Sequence, residues 1–278
     1  MKFILFFIKY SWRYLRYYWR AHTRFDVHSP FVSAFIEETI EDRRRFYIFD
    51  TIRVLMERLE VNDDLVDVID YGAGSQLGVR KQSPVNTLAG NSSISPAAGR
   101  LLFRIVRFLQ PGNFLELGTC LGVSAIYQVK ACPKGSMISI EGNPEIAELA
   151  RKNVQALAPG RIEVKTGPFR EVLPKVMATT RSVDFFHFDG DHRYQPTIEY
   201  FEQCLQISNP KSVFCISDIY WSAEMEKAWQ YLKKHPKVRL SIDLFHFGLL
   251  FLRPEHKQKE DFTLIAAHLK PWRMGFFR

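Results

Sequence analysis

From about residue 95 onward, apolar residues recur first at helical and then at strand spacing. Leu101, Leu102, Ile105, Val106 and Leu109, introduced by Ser95-Pro96, predict a helix over 95–109. NFLELG then reads as a strand, residues 122–131 as a helix, SMISIE as a strand, 144–156 as a helix and RIEVKTG as a strand. A helix near 169–178, strand VDFFHFD, helix 195–207, strand SVFCISD and helix 222–234 continue the alternation. VRLSID and GLLFLR close it, separated only by a turn at Leu244–Phe247. Strands alternating with helices predict an α/β fold: a doubly wound, mostly parallel sheet covered on both faces, here of seven strands. The last two strands lie too close for a crossover helix and predict a C-terminal antiparallel hairpin. Ligands of such a sheet bind beyond the carboxyl ends of its strands.

The preceding residues follow a different pattern. Residues 1–24 read as one helix; a second starts at HSPF, with Ser29 as N-cap and Pro30 at the first position. FDTIRVLMERLEV predicts a third, capped by Asp50. The expected organisation is a helical cap or oligomerisation region over 1–62, a linking strand and loop with lid character over 63–94, and the α/β domain over 95–278.

Charge changes the picture at the N-terminus. The chain carries a formal +8, and six of those charges, Lys2, Lys9, Arg13, Arg16, Arg20 and Arg24, fall within residues 1–24, which hold no acid. Their spacing of 7, 4, 3, 4 and 4 residues sets them along one helical face, with Phe, Ile, Leu, Trp and Tyr on the rest. Such a helix packs on the body or a second subunit with its basic stripe in water, or lies in a membrane interface with that stripe toward anionic headgroups. It is too short to span a bilayer and lacks a signal-peptide cleavage site. The remainder is nearly neutral, which argues against nucleic acid as a partner. Four cysteines without CxxC spacing read as free thiols in a reducing compartment. A cytoplasmic protein follows, with peripheral contact at the inner face of the membrane through residues 1–24 and a homodimer as the open alternatives for the N-terminal helix.

Two segments resemble cofactor loops: VIDYGAGS at 68–75 and FLELGTCLGVS at 114–124. Only the second lies between a strand and a helix; the first runs into a polar stretch of turn formers and reads as a structural turn or part of a lid. The second loop spaces its glycines, Gly118 and Gly122, around Thr119, Cys120 and Leu121. That is neither the G-x-G-x-x-G of a dinucleotide loop nor a P-loop. Glu141 ends the next strand, where a carboxylate can accept both hydroxyls of a ribose. A nucleoside without a pyrophosphate fits, and S-adenosylmethionine is one. Its carboxylate could rest at the helix N-terminus near Gly122–Ser124, with Glu116 near its ammonium group.

The motifs ELGTCLGVS, IEGNP, KTGPF and HFDGDHRY resemble those of class I S-adenosylmethionine-dependent methyltransferases, in the small-molecule O-methyltransferase branch of catechol, caffeoyl and sugar type. The resemblance covers about residues 92–252. It implies that Glu116, Gly118, Thr119, Gly122 and Ser124 hold the methionine part and Glu141, with Gly142 beside it, the ribose. It places Gly167 and Phe169 at the adenine, and makes Ile94 and Asp189 further cofactor contacts.

At the reacting end, DGDH replaces the Pro-Pro-aromatic motif of amine-modifying nucleic-acid enzymes and suits a hydroxyl acceptor. His192 is the expected base and Asp189 the residue that positions acceptor or metal. The resemblance puts a lysine at the base position and an acidic pair after the next strand; here the pair is Ser217-Asp218. Asp189 and Asp218 could still hold Mg2+. The expected activity is methyl transfer to a hydroxyl of a small or lipid-linked molecule. A membrane-docked binding or scaffold protein that keeps the fold with weak or lost catalysis is the alternative, motivated by Ser217 and by the long aromatic-basic N-terminal extension. His187, inside a strand, reads as structural.

Overall fold

A computed structural model of the chain describes residues 2–70, 79–253 and 258–273. The chain forms two compact units, one of Arg43–Val183 and one of Met1–Asp42 with Asp184–Arg278.

In the first unit, helix α3 is Tyr47–Glu60 and strands β1 (Leu65–Asp70) and β2 (Val79–Pro84) form a separate two-stranded antiparallel sheet. Helices α4 (Val85–Asn91) and α5 (Pro96–Leu109) lead into β3 (Asn113–Leu117), α6 (Val123–Ala131), β4 (Ser136–Glu141), α7 (Pro144–Leu157), β5 (Ile162–Thr166) and α8 (Phe169–Thr179). Strand β3 pairs parallel with β4, and β4 with β5. Ser95 caps α5 as its sequence predicts, its hydroxyl accepting the Ala98 N–H at 3.3 Å. Helix α6 is apolar nearly all round and is buried almost throughout, as a helix inside an α/β unit must be.

The second unit contains α1 (Lys2–Arg20), α2 (Pro30–Phe35), which continues as a π-helical turn over Ile36–Ile40, and most of β6 (Val183–Phe188). Helix α9 (Tyr194–Cys204), β7 (Ser208–Ser217), α10 (Ala223–Lys234), β8 (Leu240–Asp243), β9 (Phe247–Phe251) and β10 (Glu260–Thr263) follow. Strand β9 is antiparallel to both β7 and β8, so the terminal hairpin forms as expected. Aromatic rings fill this interior: Phe214 stacks on Phe186 at 4.3 Å and meets Phe201 at 4.7 Å.

The main sheet has the order β10-β8-β9-β7-β6-β3-β4-β5. The class is the expected one, a mixed sheet with an antiparallel hairpin, but it has eight strands rather than seven. The extra strand, β10, is four residues long, EDFT, and pairs parallel with β8 at the sheet edge. An edge strand buries little, so it needs no apolar run to mark it.

Three further expectations change. Helix α3 begins at Tyr47, three residues before Asp50, and Phe46 at its N-cap offers no side-chain bond. The Phe46 and Phe49 rings lie 4.9 and 5.1 Å from that of Phe103 in α5, and this packing draws the segment into helix a turn early. The polar stretch after the first glycine segment contains β2 and α4 rather than loop alone. Strand β1 belongs to the small sheet, so the 68–75 segment does not extend from the main sheet; its Tyr71–Ser75 portion lies outside the described residues.

The N-terminal helix packs within its own unit, but not with its basic stripe wholly in water. Arg13 Nε pairs with Glu226 at 3.2 Å, Arg16 pairs with the same carboxylate, and Arg20 Nη2 donates to the Tyr220 hydroxyl at 3.1 Å. Phe6 meets Trp221 at 4.8 Å and Tyr10 meets Phe245 at 5.2 Å. The C-terminal segment clasps the far end of α1. The Tyr17 hydroxyl donates to the Leu264 carbonyl, His22 bridges Leu264 as a short parallel pairing, and the buried Lys270 Nζ donates to the Ala21 carbonyl at 2.7 Å.

Gly248 in β9 lies under the fully buried indole of Trp229, where an added Cβ would come within 2.6 Å of Cζ3. Gly248→Ala is expected to destabilise the protein by about 1–3 kcal/mol, the cost of overpacking a filled core. Urea unfolding checks it: an unchanged midpoint would mean the indole can move aside.

Candidate active site

The glycine loop of the Arg43–Val183 unit is built from three backbone reversals. Gly118, Cys120 and Gly122 have φ of 103, 46 and 81°. Glycine is required at 122: besides its φ, a Cβ there would sit 2.9 Å from Val154 Cγ1. The Gly118 and Thr119 N–H groups both donate to the Ile140 carbonyl, at 2.9 and 3.3 Å, which ties the loop to the end of β4. Gly122 is also the N-cap of α6 and brings no capping side chain, so the first turn of that helix is left for an acceptor from elsewhere.

The two glutamates have different places. Glu116 is fully buried. Its Oε1 accepts from the Ser124 hydroxyl at 2.8 Å and from Gln128 Nε2 at 2.7 Å, and its Oε2 accepts from the Ser139 hydroxyl at 2.6 Å. Glu141 turns to the loop: its Oε2 accepts the Cys120 N–H at 2.8 Å and its Oε1 the Asn143 N–H at 2.9 Å. Burial pushes the Glu141 carboxyl above its ordinary value, the Asn143 and Cys120 N–H groups oppose that, the Glu116 charge adds to it, and the Gly142 N–H opposes it again. Thr119 is buried, its hydroxyl 2.5 Å from that of Ser139. Gly167, at φ 135°, donates its N–H to the Glu141 carbonyl at 2.9 Å, and Phe169 opens α8 directly after it. Ile94 is half-buried just before α5.

The second unit holds a separate cluster. One carboxylate oxygen each of Asp189 and Asp218 and one ring nitrogen of His192 lie within 4.8 Å of one another, all three half-buried. His192 Nε2 is 3.8 Å from Asp218 Oδ2. Asp218 follows β7 in the left-handed region at φ 55°, with its N–H donating to the His246 carbonyl at 2.8 Å. Burial pushes its carboxyl up; His192 pulls it down, Asp189 pushes it up, and His246 and His187 pull it down. Asp191, also at positive φ, forms a two-pronged ion pair with Arg193 and points away from metal or acceptor duty. Ser217 donates to or accepts from His187 Nε2 at 3.0 Å, both buried, so His187 is structural, as its strand position predicts. Among the described residues none of the four cysteines forms a disulfide.

A family model described as a methyltransferase domain matches residues 115–219, which run from the strand before the glycine loop to just past Asp218. The match marks this span as a methyltransferase domain within the chain. A catechol O-methyltransferase of Niastella koreensis is 28% identical over 169 residues, 57% of this chain and 76% of that one. One from Mycobacterium tuberculosis is 26% identical over 129 residues, 46% of this chain and 57% of the relative. In three dimensions the fold matches an O-methyltransferase of Bacillus cereus solved with SAH, at a TM-score of 0.54 and 17% identity, over 79% of this chain and 95% of that one. It also matches the Streptomyces achromogenes enzyme of tomaymycin synthesis solved with SAM, at 0.51 and 22%, over 58% and 82%. These relatives lie in the O-methyltransferase branch that the sequence motifs indicate.

The chain thus gathers Gly118, Thr119, Gly122, Ser124, Glu141 and Gly142 around one loop, but it turns the Thr119, Ser124 and Glu116 side chains inward. What the loop presents is backbone and the Glu141 carboxylate. Sequence reasoning also missed Tyr10: its hydroxyl is pushed up by burial and by the Asp218 charge, so α1 reaches the acidic cluster within its own unit. The aromatic pair Phe6 and Tyr10, one helical turn apart and stacked at 5.9 Å, was the available signal.

Because Glu141 is held above its ordinary value in the fold, the folded state favours its proton. The stability it contributes is greatest below the unfolded-state value and is lost as pH rises through the folded one. In Glu141→Gln the wild-type-minus-variant difference in unfolding free energy is therefore expected to fall as pH rises across about 4 to 7. Denaturant titrations that gave parallel pH profiles would contradict the cause assigned here.

Proposed function

We propose that the protein moves a methyl group from S-adenosylmethionine to a hydroxyl of a small or lipid-linked molecule. The observation that carries this reading is the convergence of Asp189, His192 and Asp218 in one half-buried cluster: such a set deprotonates and orients an acceptor oxygen. The glycine loop supplies the cofactor half. Open N–H groups at the start of α6 suit the cofactor carboxylate, and Glu141, anchored by Cys120 and Asn143, keeps acceptor capacity for ribose hydroxyls.

The acceptor oxygen attacks the sulfonium methyl carbon, the carbon–sulfur bond breaks toward sulfur, and S-adenosylhomocysteine leaves. The hydroxyl proton passes to His192 Nε2, whose imidazolium the Asp218 carboxylate then faces. Asp189 fixes the acceptor from its side. Phe6, Tyr10 and the half-exposed Trp221 give the same unit an aromatic wall suited to an apolar or ring-bearing acceptor.

Two carboxylates and one imidazole also fit a divalent cation such as Mg2+, which Asp189 and Asp218 would hold. When bound, such an ion lowers the pKa of a coordinated hydroxyl. Ser217 no longer argues for a non-catalytic scaffold, because its hydroxyl is engaged by His187 inside the strand.

His192→Ala is expected to lower kcat by about 100-fold while S-adenosylmethionine affinity by calorimetry stays near wild type. Asp218→Asn should lower kcat and blunt any stimulation by added Mg2+. Loss of cofactor binding in His192→Ala would make the histidine structural. Full turnover of a hydroxyl panel by both variants would remove the cluster from the reaction.

A further inference from the structure

The outward face of α1 carries large apolar side chains. Leu5, Ile8, Trp12, Leu15 and Trp19 recur at intervals of 3, 4, 3 and 4 residues, which sets them in one stripe along the helix, and all five are exposed. Trp12 and Trp19 are 62 and 71% exposed, more than tryptophan in a folded protein ordinarily is. Within the same unit Trp272 and Leu269 extend the patch: Tyr18 touches the Trp272 ring at 6.1 Å and donates to the Leu269 carbonyl at 2.8 Å, and both of those side chains are exposed. A contiguous stripe of this kind marks an interaction surface rather than scattered exposure. The side chains that hold the helix in place, Phe6, Tyr10, Arg13 and Tyr17, lie on its other face, so the stripe is not required for packing.

We propose that this stripe docks the protein on the surface of a bilayer containing anionic lipids, with α1 lying in the interfacial plane. Charge selects this occupant. The exposed Lys9 borders the stripe, beside Arg16, whose guanidinium already pairs with Glu226, and no acid occurs before Asp26. A second copy placed symmetrically on the stripe would bring the Lys9 ammonium groups of the two copies together with no carboxylate on the helix to answer them. Anionic headgroups answer them directly, and indoles favour the boundary between headgroup and acyl chain. Docking is peripheral: no helix among the described residues is long and apolar enough to cross a membrane.

Vesicle flotation of the full chain tests this without cofactor or acceptor, and so independently of the methyl-transfer reading. One set of vesicles is phosphatidylcholine alone; the other is equal parts phosphatidylcholine and phosphatidylglycerol. The protein is expected to float with the mixed vesicles only, and less so as salt rises. Trp12→Ser/Trp19→Ser should cut partition by about tenfold or more, Lys9→Glu should cut it in the anionic vesicles, and Tyr47→Ser, exposed in the other unit, should leave it unchanged. Circular dichroism confirms that each variant is folded. Equal flotation by the double tryptophan variant, or no preference for anionic vesicles, overturns the proposal. So does a dimer in sedimentation that the tryptophan variant dissociates, which assigns the stripe to a second copy.

Discussion

A single fully buried carboxylate organises the cofactor side of this protein. Glu116 sits in β3 and receives hydroxyl and amide donors from Ser139 on β4 and from Ser124 and Gln128 on α6. It therefore ties two neighbouring strands to the helix that follows the glycine loop. A buried carboxylate is tolerable only when donors meet it, and removing one of these would leave part of its acceptor capacity unmet. The loop between Gly118 and Gly122 is held at both ends by this arrangement, which explains how it sustains Cys120 in a left-handed conformation that non-glycine residues avoid.

That internal clamp alters the roles of the two glutamates. A motif reading treats them as a pair reaching for one ligand. The structure divides them: Glu116 builds the frame, and Glu141, secured by backbone N–H groups from the loop and from the start of α7, is the carboxylate at the loop. Anchoring by backbone is rigid and costs little side-chain entropy, which suits a group that must meet a ligand in a fixed orientation.

The alternation of strands and helices was legible because the core elements carry their own apolar period and three of the helices their own cap, Ser95, Asn143 and Ser222. Glycine loop, terminal hairpin and DGDH segment were legible for the same local reason. What sequence did not display depends on partners distant along the chain. The inward turn of Glu116 requires Ser139 on the next strand, the neutral role of Ser217 requires His187, and the approach of Tyr10 to Asp218 joins the first helix to the loop after β7. Strand β10 escaped because four residues at a sheet edge bury too little to show a period. The basic face of α1 was visible as a stripe, but which side meets water follows from Glu226 and Tyr220, which no local pattern announces.

The clasp around α1 carries a consequence for how the protein is made. Its fastenings, Tyr17 to Leu264 and Lys270 to Ala21, join positions 247 and 249 residues apart. During synthesis the aromatic helix leaves the ribosome well before its latch, which is translated 247 to 249 residues later. Until the latch emerges the packed face of that helix lacks its native cover as well, a state prone to self-association and attractive to chaperones.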